Sequence, residues 1–449
     1  MGGLLFGYDW VVIGGAKPFY EKYFQLNDAT DQGWAMSCAL VGCLLGAILS
    51  GGLSEKLGRK RILILAAFLF AISSLGTALA HGFHSFVAWR ITGGVAIGLA
   101  SSLSPMYIAE VAPAGLRGRL VSLNQLTIVI GILLAQVVNW LIAEPVPTDA
   151  TAGQILKSWN GQAGWRWMFG VTAIPSVLFF ASMFAVPESP RWLAKKGISD
   201  KAWRTLSRIG GEDYARDAIV DIDASLAAEG NRTELKALVA PGMSRALFLG
   251  VFLAVLQQWC GINVIFSYAE EVFSAAGYNI SGILFNIVIT GMVNLVFTLV
   301  AMGVVDTQGR RILMLCGSAG LAAIYTMLGS FYYLHSRGVH MLLLVLAAIA
   351  CYAMSLAPVT WVIISEIFPN AIRGAAMSVA VTALWIACFA LTYTFPLLNR
   401  NLGPATTFWI YAGVCVVGFG FIKKCLPETK DKTLEEIEGI WRRRMPTAH

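Results

Sequence analysis

Twelve stretches of this chain are apolar enough and long enough to cross a bilayer, and no other feature limits its fold so tightly. They fall at about 1–24, 32–53, 61–80, 84–109, 120–142 and 165–187. After a polar stretch they resume at 246–276, 281–304, 311–334, 340–367, 373–398 and 405–426. In hydrocarbon a backbone must satisfy its own hydrogen bonds, so runs of this length predict helices. Composition agrees: 13% of the 449 residues are charged, against roughly 25% in soluble domains. The expected fold is all-α and integral to the membrane.

The net charge of +7 would suit a nucleic-acid partner if it formed one patch, but its placement follows a different rule. Lys and Arg gather at 56–61, at Arg117 and Arg119, through 188–245, at Arg310, Arg311 and Arg373, and in the tail. The opposite ends of the spans carry only Lys17, Lys22, Lys157, Arg166, Arg337 and Arg400. The basic side is therefore cytoplasmic and holds both termini, as in a multi-pass plasma (inner) membrane protein, and no nucleic-acid partner is expected.

The two halves repeat each other in order. GRKR after the second span matches GRR after the eighth, YIAEVAPAGLRG (107–118) matches IISEIFPNAIRG (363–374), and PESPR matches PETKD. This predicts two pseudo-symmetric six-helix bundles, 1–187 and 246–426. A cytoplasmic linker with short helices (188–245) joins them and a cytoplasmic tail (427–449) follows, a parallel repeat found in transporters. The paired acids and bases Arg59, Glu110, Arg117, Glu188, Arg191, Arg310, Glu366, Arg373 and Glu428 read as a cytoplasmic gating network that locks the bundles together. The alternative is topology marking with helix capping.

Two groups of polar residues break the apolar rule. Gln257, Gln258 and Asn263 place three amides at membrane depth beside Trp259, and they share one side of a helix only if it loosens at Gly261. One amide is ordinarily interhelical glue. Three within seven residues favour a wet cavity for a ligand rich in hydroxyls. Asp9 and Arg90 are charges deep in the first and fourth spans, each too costly to bury alone, so they are expected to pair. They form either a static tie or a proton switch, since burial favours the protonated acid and a nearby Arg the ionised one. Only eight residues precede Asp9, about 12 Å of helix. The first span is therefore expected to lack roughly ten residues of its beginning, given a hydrocarbon core about 30 Å thick.

The motifs GGLLFGYD, GRKR, RGRLVSLNQ, PESPRWL, QQWCGIN, VDTQGRR, SEIFPNAIRG and PETKDKTLEE run from one end of the chain to the other. By them the chain resembles the sugar porter family of the major facilitator superfamily, with closest likeness to bacterial xylose and other monosaccharide–proton symporters. The resemblance implies the major-facilitator fold and an alternating-access symporter for a pentose or hexose, with protons as the coupling ion. It implies proton coupling at Asp9 with Arg90, and sugar contacts at Gln125, Gln257, Gln258, Asn263, Asn294 and Trp361. Phe6 and Trp385 match cavity-lining aromatics. Two cavity positions depart from the family pattern: Leu384 stands where relatives carry an amide, and Ser267 where they carry a Tyr. No enzyme chemistry, metal site or cofactor is expected, and the partners are the sugar, the proton and the lipid, with the protein working as a monomer. A passive uniporter with a structural Asp9–Arg90 pair is the nearest alternative. A non-transporting sensor is a further one.

Overall fold

The computed structural model describes residues 1–147, 150–229, 243–368 and 373–428. The first half of the chain forms α1 (Gly2–Tyr23), α2 (Ala29–Leu57), α3 (Arg59–Ala78), α4 (Phe83–Val111) and α5 (Ala114–Ile142). A short α6 (Ala152–Lys157) and a π turn lead into α7 (Trp165–Gly170) and α8 (Ala173–Ala185). Outside the apolar runs lie α9 (Pro190–Lys195) and α10 (Ser199–Glu229). The second half begins with α11 (Met243–Trp259), α12 (Ile262–Ser267) and α13 (Ala269–Ala275), three pieces of one expected span. Then come α14 (Ile280–Gln308), α15 (Arg310–Tyr333), α16 (Val339–Met354), α17 (Leu356–Ile367) and α18 (Arg373–Cys425).

Each expected span is helical. Ten segments among the described residues are long and apolar enough to cross a membrane, and one of them, Ala375–Cys425, holds two expected spans divided at Gly403. The first span, α1, is outside those ten because Asp9, Lys17, Glu21 and Lys22 dilute its apolar character.

The chain divides into two compact units. One gathers Met1–Trp10, Val41–Gly131 and the described chain from Phe169 through α10; the other gathers Val11–Leu40, Ile132–Met168 and the described chain from Met243 onward. Thus α1, α2, α5 and α7 each contribute to both units. In the first unit α3 packs along α4 and α8. There α2 and α4 approach through glycine: a Cβ on Gly42 would lie 2.1 Å from the Ile91 carbonyl oxygen, and one on Gly98 2.2 Å from that of Cys43. Such close backbone approach between lipid-embedded helices needs small residues at the contact. In the second unit α18 packs along α11 and α15, and α14 along α16.

Candidate solute and proton site

Chain reversal at the C-terminal ends of α2 and α14 falls on Gly58 (φ 97°) and Gly309 (φ 87°), a region of backbone space that favours glycine. In both places an acid caps the helix that follows. Glu188 accepts from the backbone N–H of Arg59 and of Lys60 at 3.0 Å. Glu428 does the same for Arg310 and Arg311 at 3.0 and 3.1 Å. The positive end of a helix dipole stabilises such a carboxylate, and the repeat read from the PES and PET motifs is thus realised in three dimensions. Arg59 grips Glu110 through Nε (3.1 Å) and Nη2 (3.2 Å) and also reaches Glu55 at 2.9 Å. Ser189 Oγ donates to Glu110 as well. In the second half Arg310 meets Glu366 at 3.4 Å. Arg59–Glu110 and Arg59–Glu55 join residues of the first unit, and Arg310–Glu366 joins residues of the second. Arg191 lies on α9, next to this cluster. The side chains of Arg117 and Arg373 lie outside the described residues.

Asp9 and Arg90 meet within the first unit, as their depths in α1 and α4 led us to expect. Arg90 Nη1 donates to Asp9 Oδ1 at 2.9 Å, and the two residues are 4% and 5% exposed. The guanidinium lies 5.3 Å from the centroid of the Phe169 ring, an apolar and weakly attractive wall. Asp9 Oδ2 is buried with no hydrogen-bond partner among the described residues. A carboxylate with one oxygen paired and the other dry is a group whose charge is only partly compensated.

The amides meet within the second unit. Helix α11 stops at Trp259, Gly261 takes φ 86°, and α12 restarts at Ile262. This is the loosening that the sequence required. Asn263 Nδ2 donates to Gln258 Oε1, Gln258 Nε2 donates to Gln257 Oε1 at 3.2 Å, and Gln257 Nε2 donates to the Ala357 carbonyl at 3.4 Å. The three side chains form one donor–acceptor relay ending on α17, the helix that carries Trp361. Asn263 also lies 3.8 Å from Cys388 Sγ, one turn of α18 beyond Leu384 and Trp385. Asn294, Ser267, Leu384 and Trp385 are buried, while Trp361 is 38% exposed. Phe6 and Gln125 belong to the first unit, where Phe6 packs edge-on to Trp10 at 6.0 Å between centroids.

One charged group was missed. Besides Asp9, Arg90 and Arg59 another charge is sealed in: Lys17, read from sequence as marking the outer end of α1, is 2% exposed. Its Nζ lies 3.1 Å from Glu21, 3.3 Å from Glu270 and 2.6 Å from Glu271. The available signal was a pair of adjacent acids at the end of a segment otherwise free of charge.

Comparison with known proteins bears on these groups. The model of the family described as "Sugar (and other) transporter" matches residues 1–441. An arabinose–proton symporter of Bacillus subtilis is 39% identical, over 98% of this chain and 93% of its own. A D-xylose–proton symporter of Escherichia coli is 40% identical, over 98% and 94%. Among solved structures, the inward-open form of the E. coli xylose transporter XylE superposes with a TM-score of 0.85 at 39% identity, covering 98% of this chain and 97% of that one.

Proposed function

The chain belongs to the sugar transporter family, and from that membership we propose that it imports a pentose or hexose in symport with protons. Transport proceeds by alternating access, with protons as the coupling ion. The protein spans the inner membrane many times as a monomer, with both termini in the cytoplasm. The observation that carries the coupled reading is the buried Asp9–Arg90 pair. An ionisable pair buried at membrane depth is costly and a functional candidate by default, and a symporter uses such an acid by changing its partner between states. A proton from outside binds Asp9, whose Oδ2 has no other claim on it, and loosens its hold on Arg90. The sugar then takes hydrogen bonds from the Gln257–Gln258–Asn263 relay, with Asn294 and Trp361 as further contacts. Closure follows, and then inward release of sugar and proton. A proton moving down 100 mV supplies about 2.3 kcal/mol, enough to concentrate a neutral solute tens-fold. The sugar contacts are all neutral, which suits an uncharged polyol.

Uptake of radiolabelled pentoses and hexoses, with and without a protonophore, tests this reading. The parent protein should accumulate one of them uphill and lose accumulation with the protonophore. Asp9→Asn should equilibrate its sugar without concentrating it. Undiminished uphill accumulation by Asp9→Asn would refute coupling at this residue.

A further inference from the structure

Alternating access requires that the outer ends of first-half helices part from second-half helices and later rejoin. In the second unit they are joined. A Cβ on Gly14 of α1 would lie 2.9 Å from the Phe266 carbonyl oxygen, and one on Gly33 of α2 would lie 2.5 Å from that of Tyr393. These contacts carry no charge. Asp28–Arg400 at 3.3 Å does, but both side chains are more than 60% exposed and solvent screens the pair. A second charged tie among the described residues is the one around Lys17, where α1 meets α13.

We propose that Lys17, Glu270 and Glu271 form a latch on the outer gate, and that protons from the outer medium set its strength independently of Asp9. The ammonium is 3% exposed, whereas the side chains of Glu21, Glu270 and Glu271 retain 12%, 21% and 23%. The cation is thus sealed; Glu21 Oε1 and Glu271 Oε2 are buried with no hydrogen-bond partner among the described residues, while the three acidic side chains are in part exposed. One cation faces three carboxylates, so the joined cluster carries two uncompensated negative charges. The other titratable groups facing it are Tyr20 of α1 and Tyr268, which precedes α13. Both phenols are donors already committed, Tyr20 to Met36 Sδ and Tyr268 to the Thr392 carbonyl, so neither offsets the excess. When the helix ends part, Lys17 leaves with Glu21 as a neutral pair, and Glu270 and Glu271 become hydrated. The joined state therefore gains more from a proton than the parted state does, because excess buried charge disfavours ionisation. Closure takes up a proton from outside and opening returns it there. That proton never crosses the membrane: it leaves the coupling ratio unchanged but makes the gate follow external pH. The latch rests on the alternating-access reading above but not on any role for Asp9.

Spin labels at Asn27 and Ser274, both exposed in the second unit, would report the gate by distance. The exposed Cys316 and the half-buried Cys351 and Cys425 would first be replaced by serine. Between about pH 8 and about pH 5.5 the short-distance population should grow in the otherwise native protein, and equally in Asp9→Asn. Lys17→Met should shift the open-to-closed ratio toward open by about tenfold or more at pH 8. Glu270→Gln, an isosteric change that spares the fold, should keep the gate closed at high pH and flatten the dependence. Unchanged distances and pH response in Glu270→Gln would overturn the latch, whatever Lys17→Met does. Because the readout needs no transport, its failure is separate from failure of coupling at Asp9.

Discussion

The two acid–base networks descend from the same sequence pattern but differ in how the described residues hold the acid at their centre. In the first half Glu110 is held by two Arg59 nitrogens and by Ser189, with all partners at least half-buried. In the second half Glu366 has one contact with Arg310 at 3.4 Å, and its Oε2 is buried with no hydrogen-bond partner among the described residues. The capping acids, by contrast, are near copies, with Glu188 and Glu428 each spanning two backbone N–H groups at similar distances. A repeated motif thus preserves what the backbone demands, while the side-chain pairing has diverged. A network satisfied on all sides suits a brace that keeps its geometry, and one with an unmet oxygen suits a joint that re-pairs.

The largest test of that contrast is removal of the arginines. Arg59→Ala should cost about 3–5 kcal/mol, because it strands the largely buried Glu110. Arg310→Ala should cost about 1–2 kcal/mol, since its pair is longer and more exposed. Thermal unfolding in detergent would compare them, and equal losses would break the contrast. Glu110→Gln should cost about 2–3 kcal/mol and Glu366→Gln under about 1 kcal/mol, with the same measurement sharpening the difference. Ser189→Ala should cost about 1–2 kcal/mol, because this hydroxyl also accepts from the Trp192 backbone N–H at 3.2 Å and caps α9. It should make the first network behave more like the second. The smallest effect is at Glu55. Partial burial raises its carboxyl, but Lys195 and Arg59 outweigh that and hold it below the ordinary range. Its contribution is therefore present above the ordinary carboxylate range and lost as pH falls through the folded-state value. With Glu55 42% exposed, Glu55→Gln should remove less than about 1 kcal/mol of acid-limb stability after discounting for screening.

Much of this fold was legible because lipid leaves the backbone few choices. Helix positions follow from apolar runs, and the break at Gly261 follows from three amides that no straight helix can gather. The Asp9–Arg90 pair was legible because both charges sit at matching depths in different spans. Lys17 was not. Near the end of a span a lysine ordinarily reaches water, and its burial depends on acids 253 positions away, beyond any local pattern. The break at Ser355 (φ −128°, ψ −90°) between α16 and α17 did carry a signal: Pro358 has no N–H to donate to the Met354 carbonyl, and its ring crowds that carbonyl. The loose pairing of Glu366 could not be read either, since the motif around it copies that around Glu110 letter for letter at the acid and the arginine.

The self-paired relay of Gln257, Gln258 and Asn263 has a consequence for cargo handling. Because these side chains already satisfy one another, an arriving hydroxyl trades one bond for another and gains little net grip. A carrier of this kind ranks solutes by how well their stereochemistry fits the exchange, and it lets them go as readily as it takes them. Modest retention is what a fast ferry needs at the far bank.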